Sequence, residues 1–219
     1  MNKKEKEGIR EKEVLRILTK KQSTTMLGRL GERWDNFKLL IATILSARSK
    51  DEVTEVVAEK LLKKYPTSTL LANADPTDVK HIIHKIGFFN DKTKHIQEAS
   101  KMLLRDFDGV VPSTFEELMQ LPGVGRKVAG CVLVYGFGKD AIPVDIHVHR
   151  ISNRLGWVRT RYPEKTEQEL MKRIPKHLWK TVNDTLVAHG KTICTPINPF
   201  CSKCPVQSFC KKVGVIKSR

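Results

Sequence analysis

Apolar residues recur at spacings of three and four along nearly the whole chain, the mark of helices that turn one face to a core. In "FKLLIATILSA", Phe37, Leu40, Ile41, Ile44 and Leu45 share such a face. "DEVTEVVAEKLLKKY" opens on acidic residues and closes on Lys63 and Lys64, charges that suit the two ends of a helix dipole. "DPTDVKHIIHKIG" has Pro76 where a first helical turn tolerates it and Gly87 as the expected C-cap. "DKTKHIQEASKMLLRDF" sets Ile96, Ala99, Met102, Leu103 and Phe107 at helical spacing. Ser113 and Glu116 form an S-x-x-E capping box before a short helix that runs into Leu121. The alternation in "AIPVDIHVHRI" is the nearest approach to a strand. Asp145 is equally well placed there to cap a helix through Leu155, and helices on both sides favour the cap. The expected fold class is all-α.

Composition narrows the partner. With 40 basic and 24 acidic residues the chain carries a net charge of +16, which favours a polyanion, nucleic acid before anionic membrane. Apolar residues make up 40% of its 219 positions, enough for a real core and too many for a disordered chain. No run approaches the ~20 apolar residues of a membrane span. The N-terminal stretch mixes basic residues with Glu5, Glu7, Glu11 and Glu13 and lacks the apolar core of a signal peptide, so an intracellular, nucleoid-associated protein is expected.

"LPGVGRKVAG", Leu121 to Gly130, reads as the turn between two helices. Gly123 and Gly125 permit positive φ and the close approach of another backbone. Such a turn offers the first N–H groups of the next helix to an anion. A dinucleotide fingerprint needs a strand before its glycines, and the Walker pattern G-x-x-x-x-G-K-[ST] fails here on spacing. What remains is a helix–hairpin–helix in which Gly123, Val124, Gly125 and Arg126 grip a nucleic acid backbone without reading sequence. The plain alternative is a glycine-rich packing turn. Lys127 stands in the first turn of the second helix, where the dipole and Arg126 both disfavour an ammonium, so its amine is a candidate nucleophile. Asp145 follows eighteen residues later. It is a simple N-cap or, beside such an amine, a carboxylate able to stabilise an oxocarbenium-like sugar.

Four of the five cysteines crowd into "CTPINPFCSKCPVQSFC" with the spacing C-x6-C-x2-C-x5-C. In a reducing compartment such crowding points to metal, not disulfides. Zinc sites usually pair two C-x2-C units, and only Cys201 and Cys204 make one, so the looser arms favour an iron–sulfur centre while zinc stays open. Cys131, in the apolar "VAGCVLVYG", is expected to be an ordinary buried thiol.

These three features in this order resemble the endonuclease III family of the helix–hairpin–helix Gly/Pro-Asp DNA glycosylase superfamily. "LLIATILSARSKDE" and "IGFFNDKTKHI" extend the resemblance over nearly the whole chain. It implies two helical domains, a six-helix barrel at 29–139 and an iron–sulfur cluster domain built from 1–28 and 140–219, with a DNA-binding cleft between them. It implies a bifunctional DNA glycosylase and AP lyase of base excision repair that flips oxidised pyrimidines out of duplex DNA. Lys127 would displace the base and form a Schiff base with the sugar, β-elimination would cut 3′ to the lesion, and Asp145 would assist. Cys194, Cys201, Cys204 and Cys210 would hold a [4Fe–4S] cluster. Arg48 stands where many relatives carry a gap-filling glutamine, and Phe88 takes the place of a second wedge residue, often leucine. Ser46, Asp51 and His147 are expected to support the pocket. The implied partner is double-stranded DNA with damaged pyrimidines or abasic sites, bound by a monomer and with no membrane involved. The loop from Cys194 to Cys201 departs from the family in having no basic residue; Lys203, Lys211 and Lys212 are the nearest substitutes. The alternatives are a monofunctional G:T or G:U mismatch glycosylase and a non-catalytic iron–sulfur DNA-binding protein. Lysine at 127 argues against both.

Overall fold

A computed structural model describes residues 3–20 and 25–219; positions 1, 2 and 21–24, within the segment 1–28 assigned above to the cluster domain, lie outside the described residues. The regular secondary structure of the described residues is all helical, with no strand among them. After α1 (Lys3–Thr19) come α2 (Met26–Arg33), α3 (Asn36–Ser46), α4 (Asp51–Lys64), α5 (Ser68–Ala72) and α6 (Pro76–Ile83). Then follow α7 (Phe89–Asp106), α8 (Phe115–Leu118), α9 (Arg126–Cys131), α10 (Ile146–Leu155), α11 (Pro163–Arg173) and α12 (Trp179–Thr192). The chain divides into two compact units, Met26–Gly138 and Met1–Thr25 with Lys139–Arg219.

The first unit is organised around α3. Sequence periodicity predicts one buried face, yet Phe37 and every residue from Leu39 to Leu45 are buried. A helix apolar on all sides is one that other helices surround, and α2, α4, α7 and α9 all pack on it. Asp35 starts it by accepting from Lys38 N at 2.9 Å, an N-cap that satisfies one orphan donor.

Three local expectations shift here. The capping box sits one residue later, since Thr114 has the extended backbone and accepts from Glu117 N at 3.3 Å. T-x-x-E overlaps S-x-x-E in this stretch, and the register chosen is the one that buries Leu118. Helix α6 ends at Ile83, with His84 in the C-cap position, so Gly87 caps nothing. Finally, α9 runs into a π-helical turn, Val132–Gly136, that sequence periodicity does not predict. This turn lies directly on α2: a Cβ on Gly31 would stand 2.5 Å from Tyr135 O.

In the second unit α1, α10, α11 and α12 enclose a core that includes Val14, Leu18, Val148, Ile151, Leu155 and Leu186. Each such side chain contributes about 1.5–3 kcal/mol by leaving water. Wholly buried Glu11 of α1 accepts from Arg173 Nε of α11 at 2.5 Å, which balances its charge. Beyond Ile193 there is no further α-helix, only two short 3-10 turns, Cys201–Lys203 and Gln207–Phe209. So irregular a tail orders only if something other than helical hydrogen bonding offsets its entropy.

Substituting Gly31→Ala should destabilise the protein by roughly 1–3 kcal/mol, because the new methyl meets backbone that cannot yield. For a chain of this size that is a fall of about 2–12 °C in thermal midpoint, measurable by calorimetry.

Candidate functional site

The predicted site residues fall in both units, and the structure groups them at helix ends. In the first unit the hairpin joins α8 to α9. Gly123 has φ of 80°, and a Cβ there would fall 2.8 Å from His95 Cβ of α7 and 3.2 Å from Ile44 Cγ2 of α3. Left-handed backbone and this close packing both demand glycine. Gly125 differs from expectation: its φ is −97°, ordinary extended backbone, and a Cβ there would meet nothing within 4 Å. Its lack of a side chain serves no internal contact. It leaves the start of α9 without a side-chain cap, open to an approaching anion. Val124 is buried, whereas Arg126 is exposed with its guanidinium 4.7 Å from the centre of the Phe115 ring. Lys127, half-buried, is the second residue of α9.

Two loops on this unit carry Arg48 and Phe88. Both residues are left-handed, with φ of 55° and 60°, and the Arg48 guanidinium lies 5.5 Å from the Phe88 ring centre. Phe88 is 59% exposed, so it is not a core aromatic. Ser46 spends its hydroxyl on its own helix, donating to Thr43 O at 2.8 Å, and Asp51 opens α4. Sequence reading missed Lys92, one turn into α7. It is buried, and its Nζ donates to Leu45 O (2.8 Å), Ala47 O (2.5 Å) and Ser49 Oγ (3.1 Å). Burial pushes its amine down to about 8, which still leaves an ammonium at neutral pH. Its only sequence signal is a lysine four residues after an exposed aromatic.

In the second unit Asp145 caps α10 as predicted. Its Oδ1 accepts from His147 N (2.9 Å) and Val148 N (2.8 Å), which fixes the carboxylate at the positive end of the helix. Further along α10 come two arginines that sequence reading passed over. Arg150 Nη2 contacts His147 Nδ1 (3.1 Å) and donates to Gly190 O (3.2 Å) and Cys194 O (2.9 Å). Burial pulls the Arg150 guanidinium below its ordinary value, opposed by the charges of Cys194 and Asp145. Arg154 donates through Nη1 to Thr195 O (2.7 Å) and Cys194 Sγ (3.5 Å), and through Nη2 to Pro196 O (2.7 Å). One face of α10 thus runs from His147, two residues after the carboxylate, to the arginines that hold the first cysteine. The signal that would have found them is their spacing of three and seven residues from His147, which places all three on one face of α10.

All four clustered cysteines line one cavity, together with Ile151, Leu155 and His189. Among the described residues no group of three His, Cys, Asp or Glu side chains could hold a single metal ion. Burial, reinforced by the neighbouring cysteines, pushes the Cys204 and Cys210 thiols up. Backbone N–H of Lys212 donates to Cys210 Sγ at 3.3 Å. Cys131, outside this group, is buried as expected.

The pattern of the HhH-GPD superfamily of base excision DNA repair proteins matches residues 41–176, and the chain belongs to that family: it is a DNA glycosylase by class. Endonuclease III of Thermotoga maritima is 48% identical over 177 residues, covering 81% of this chain and 83% of that protein. Among solved structures, a non-covalent endonuclease III–DNA complex superposes with a TM-score of 0.85 at 33% identity, covering 97% of both chains. A trapped endonuclease III–DNA covalent intermediate gives the same TM-score of 0.85 at 32% identity and the same 97% coverage of both. No helix among the described residues is long and apolar enough to cross a membrane.

Arg154→Met should release the loop after Cys194 at a cost of about 1–3 kcal/mol, the worth of its charged hydrogen bonds. Hydrogen–deuterium exchange is expected to quicken in residues 194–200 and to stay unchanged in α3 and α7.

Proposed function

We propose that the protein is a bifunctional DNA glycosylase and AP lyase that removes oxidised pyrimidines from duplex DNA and cuts the strand 3′ to the abasic site. The observation that carries this reading is Lys127, an amine in the first turn of a helix whose entry, Gly125, is bare of any side chain. Gly123, Val124, Gly125 and Arg126 hold backbone phosphate beside it, which is how a helix start binds anions. That a covalent endonuclease III–DNA intermediate was trapped for a relative 32% identical supports an amine nucleophile in this chain too.

The chemistry follows from an amine and a carboxylate. Lys127 Nζ bonds to C1′ as the glycosidic bond breaks and the base leaves with its electron pair, taking up a proton. Asp145 stabilises the positive charge that develops on the sugar, with its orientation held by two backbone N–H groups. Ring opening gives the Schiff base. The iminium makes the C2′ hydrogen acidic, and loss of that proton expels the 3′ phosphate and nicks the strand. Arg48 and Phe88 fill the gap left by the flipped nucleotide, and Ser46, Asp51 and His147 support the pocket.

Cys194, Cys201, Cys204 and Cys210 hold a [4Fe–4S] cluster in this reading, supported by their shared cavity and by thiols that burial disfavours as lone anions. The cluster supplies the cationic charge those thiolates need and cross-links the irregular tail to the helical core.

Sodium borohydride with duplex DNA containing an oxidised pyrimidine should trap a covalent complex, and Lys127→Ala should give none. An undiminished adduct from that variant would overturn the assignment of the nucleophile. Asp145→Asn keeps an equally good cap and should leave thermal stability nearly unchanged, while slowing base release by about 10²–10³-fold.

Purified protein should be yellow-brown, with about four irons and no zinc per chain. A colourless protein carrying one zinc would exclude the cluster.

A further inference from the structure

The two loops that carry Arg48 and Phe88 have a feature in common beyond their exposure. Each places a non-glycine residue in the left-handed region, which a side chain disfavours. Such conformations persist only where the surroundings over-determine them. Here the surroundings are few and identifiable. Ser49 Oγ accepts from Gly87 N at 3.2 Å, tying the loop after α3 to the loop before α7. A Cβ on Gly87 would lie 3.0 Å from Arg48 O, so the two backbones touch directly. Beneath both is Lys92, 5% exposed, whose ammonium binds Leu45 O, Ala47 O and that same Ser49 Oγ. These carbonyls are the ones α3 leaves unpaired at its C-terminal end.

We infer that Lys92 is the positioning residue of a two-loop wedge: its ammonium clamps the end of α3 to the start of α7 and holds the Arg48 guanidinium and Phe88 ring stacked and outward, ready to enter duplex DNA. Lys92 is too buried to touch DNA itself and acts only through the two exposed side chains. A preformed wedge spares the protein the ordering of two loops at the moment a base leaves the stack, which raises affinity for the opened duplex without adding a contact. A cation suits the task because three oxygen acceptors converge on one point, more than any neutral side chain of that length could satisfy.

This inference rests on the proposed role of Arg48 and Phe88, and its test is independent of the glycosylase and lyase chemistry. The probe is a duplex with a tetrahydrofuran abasic analogue opposite 2-aminopurine, whose fluorescence rises when it is unstacked. Lys92→Met should bind this duplex about tenfold more weakly, the worth of one lost stacking contact, and should lose most of the fluorescence rise at saturation. Binding to intact duplex should not change. Phe88→Ala should show the same two losses, and in an Arg48→Ala/Phe88→Ala double variant, which leaves the clamp no wedge to hold, adding Lys92→Met should produce no further loss. Ser49→Ala, which removes only the hydroxyl link, should move in the same direction by a smaller amount and serves alone if Lys92→Met does not fold. A further loss on adding Lys92→Met to the double variant, or an undiminished signal from Lys92→Met or from Ser49→Ala, would overturn the inference. If wild-type protein gives the fluorescence rise but no borohydride adduct, the lyase reading fails and the wedge stands.

Discussion

An α-helix satisfies its own backbone everywhere except at its ends, where four N–H groups and four carbonyls are left without partners. In a chain with no strands among its described residues, those ends are where helices leave backbone polarity unpaired, and several residues of the proposed site stand there. Each end is resolved differently. Asp145 closes the start of α10 with a side chain. Gly125 leaves the start of α9 without one. Lys92 takes the last carbonyls of α3, and Arg150 takes those of Gly190 and Cys194 at the close of α12.

The second unit shows how one helix can serve two purposes. Asp145, His147, Arg150 and Arg154 follow one another along α10, and the last two hold the segment that begins at Cys194. Any distortion of the cysteine segment therefore reaches the mount of the carboxylate through rigid helix and directed hydrogen bonds, with no flexible joint on the way. Burial disfavours the ionised form of the Cys204 and Cys210 thiols.

Much of this was legible along the chain, and the parts that were share a property. Helix spacing, the Asp145 cap, the hairpin and the cysteine cluster are each written within one stretch of about twenty residues or fewer, where side-chain periodicity and local hydrogen bonding decide the outcome. The burial of Cys131 was equally plain, because an unbroken apolar run has nowhere else to go. Where two local solutions overlapped, as with Ser113 and Thr114, the sequence could not choose, and the burial of Leu118 decided between them.

The rest depended on partners far apart in sequence. That α3 is buried on every side, that α2 lies against the π-helical turn at Gly31, and that His95 presses on Gly123 are properties of packing, invisible to any periodicity within one helix. Lys92 is the clearest case. A lysine in an amphipathic helix reads as a solvated cation, and only the tertiary fold brings Leu45 O, Ala47 O and Ser49 Oγ within reach of its ammonium, more than forty residues away along the chain. By itself the sequence determined which segments are helices and which residue types stand at their ends. The tertiary structure decided which of those ends meet, because unpaired carbonyls and buried charges find their partners only once the helices have packed.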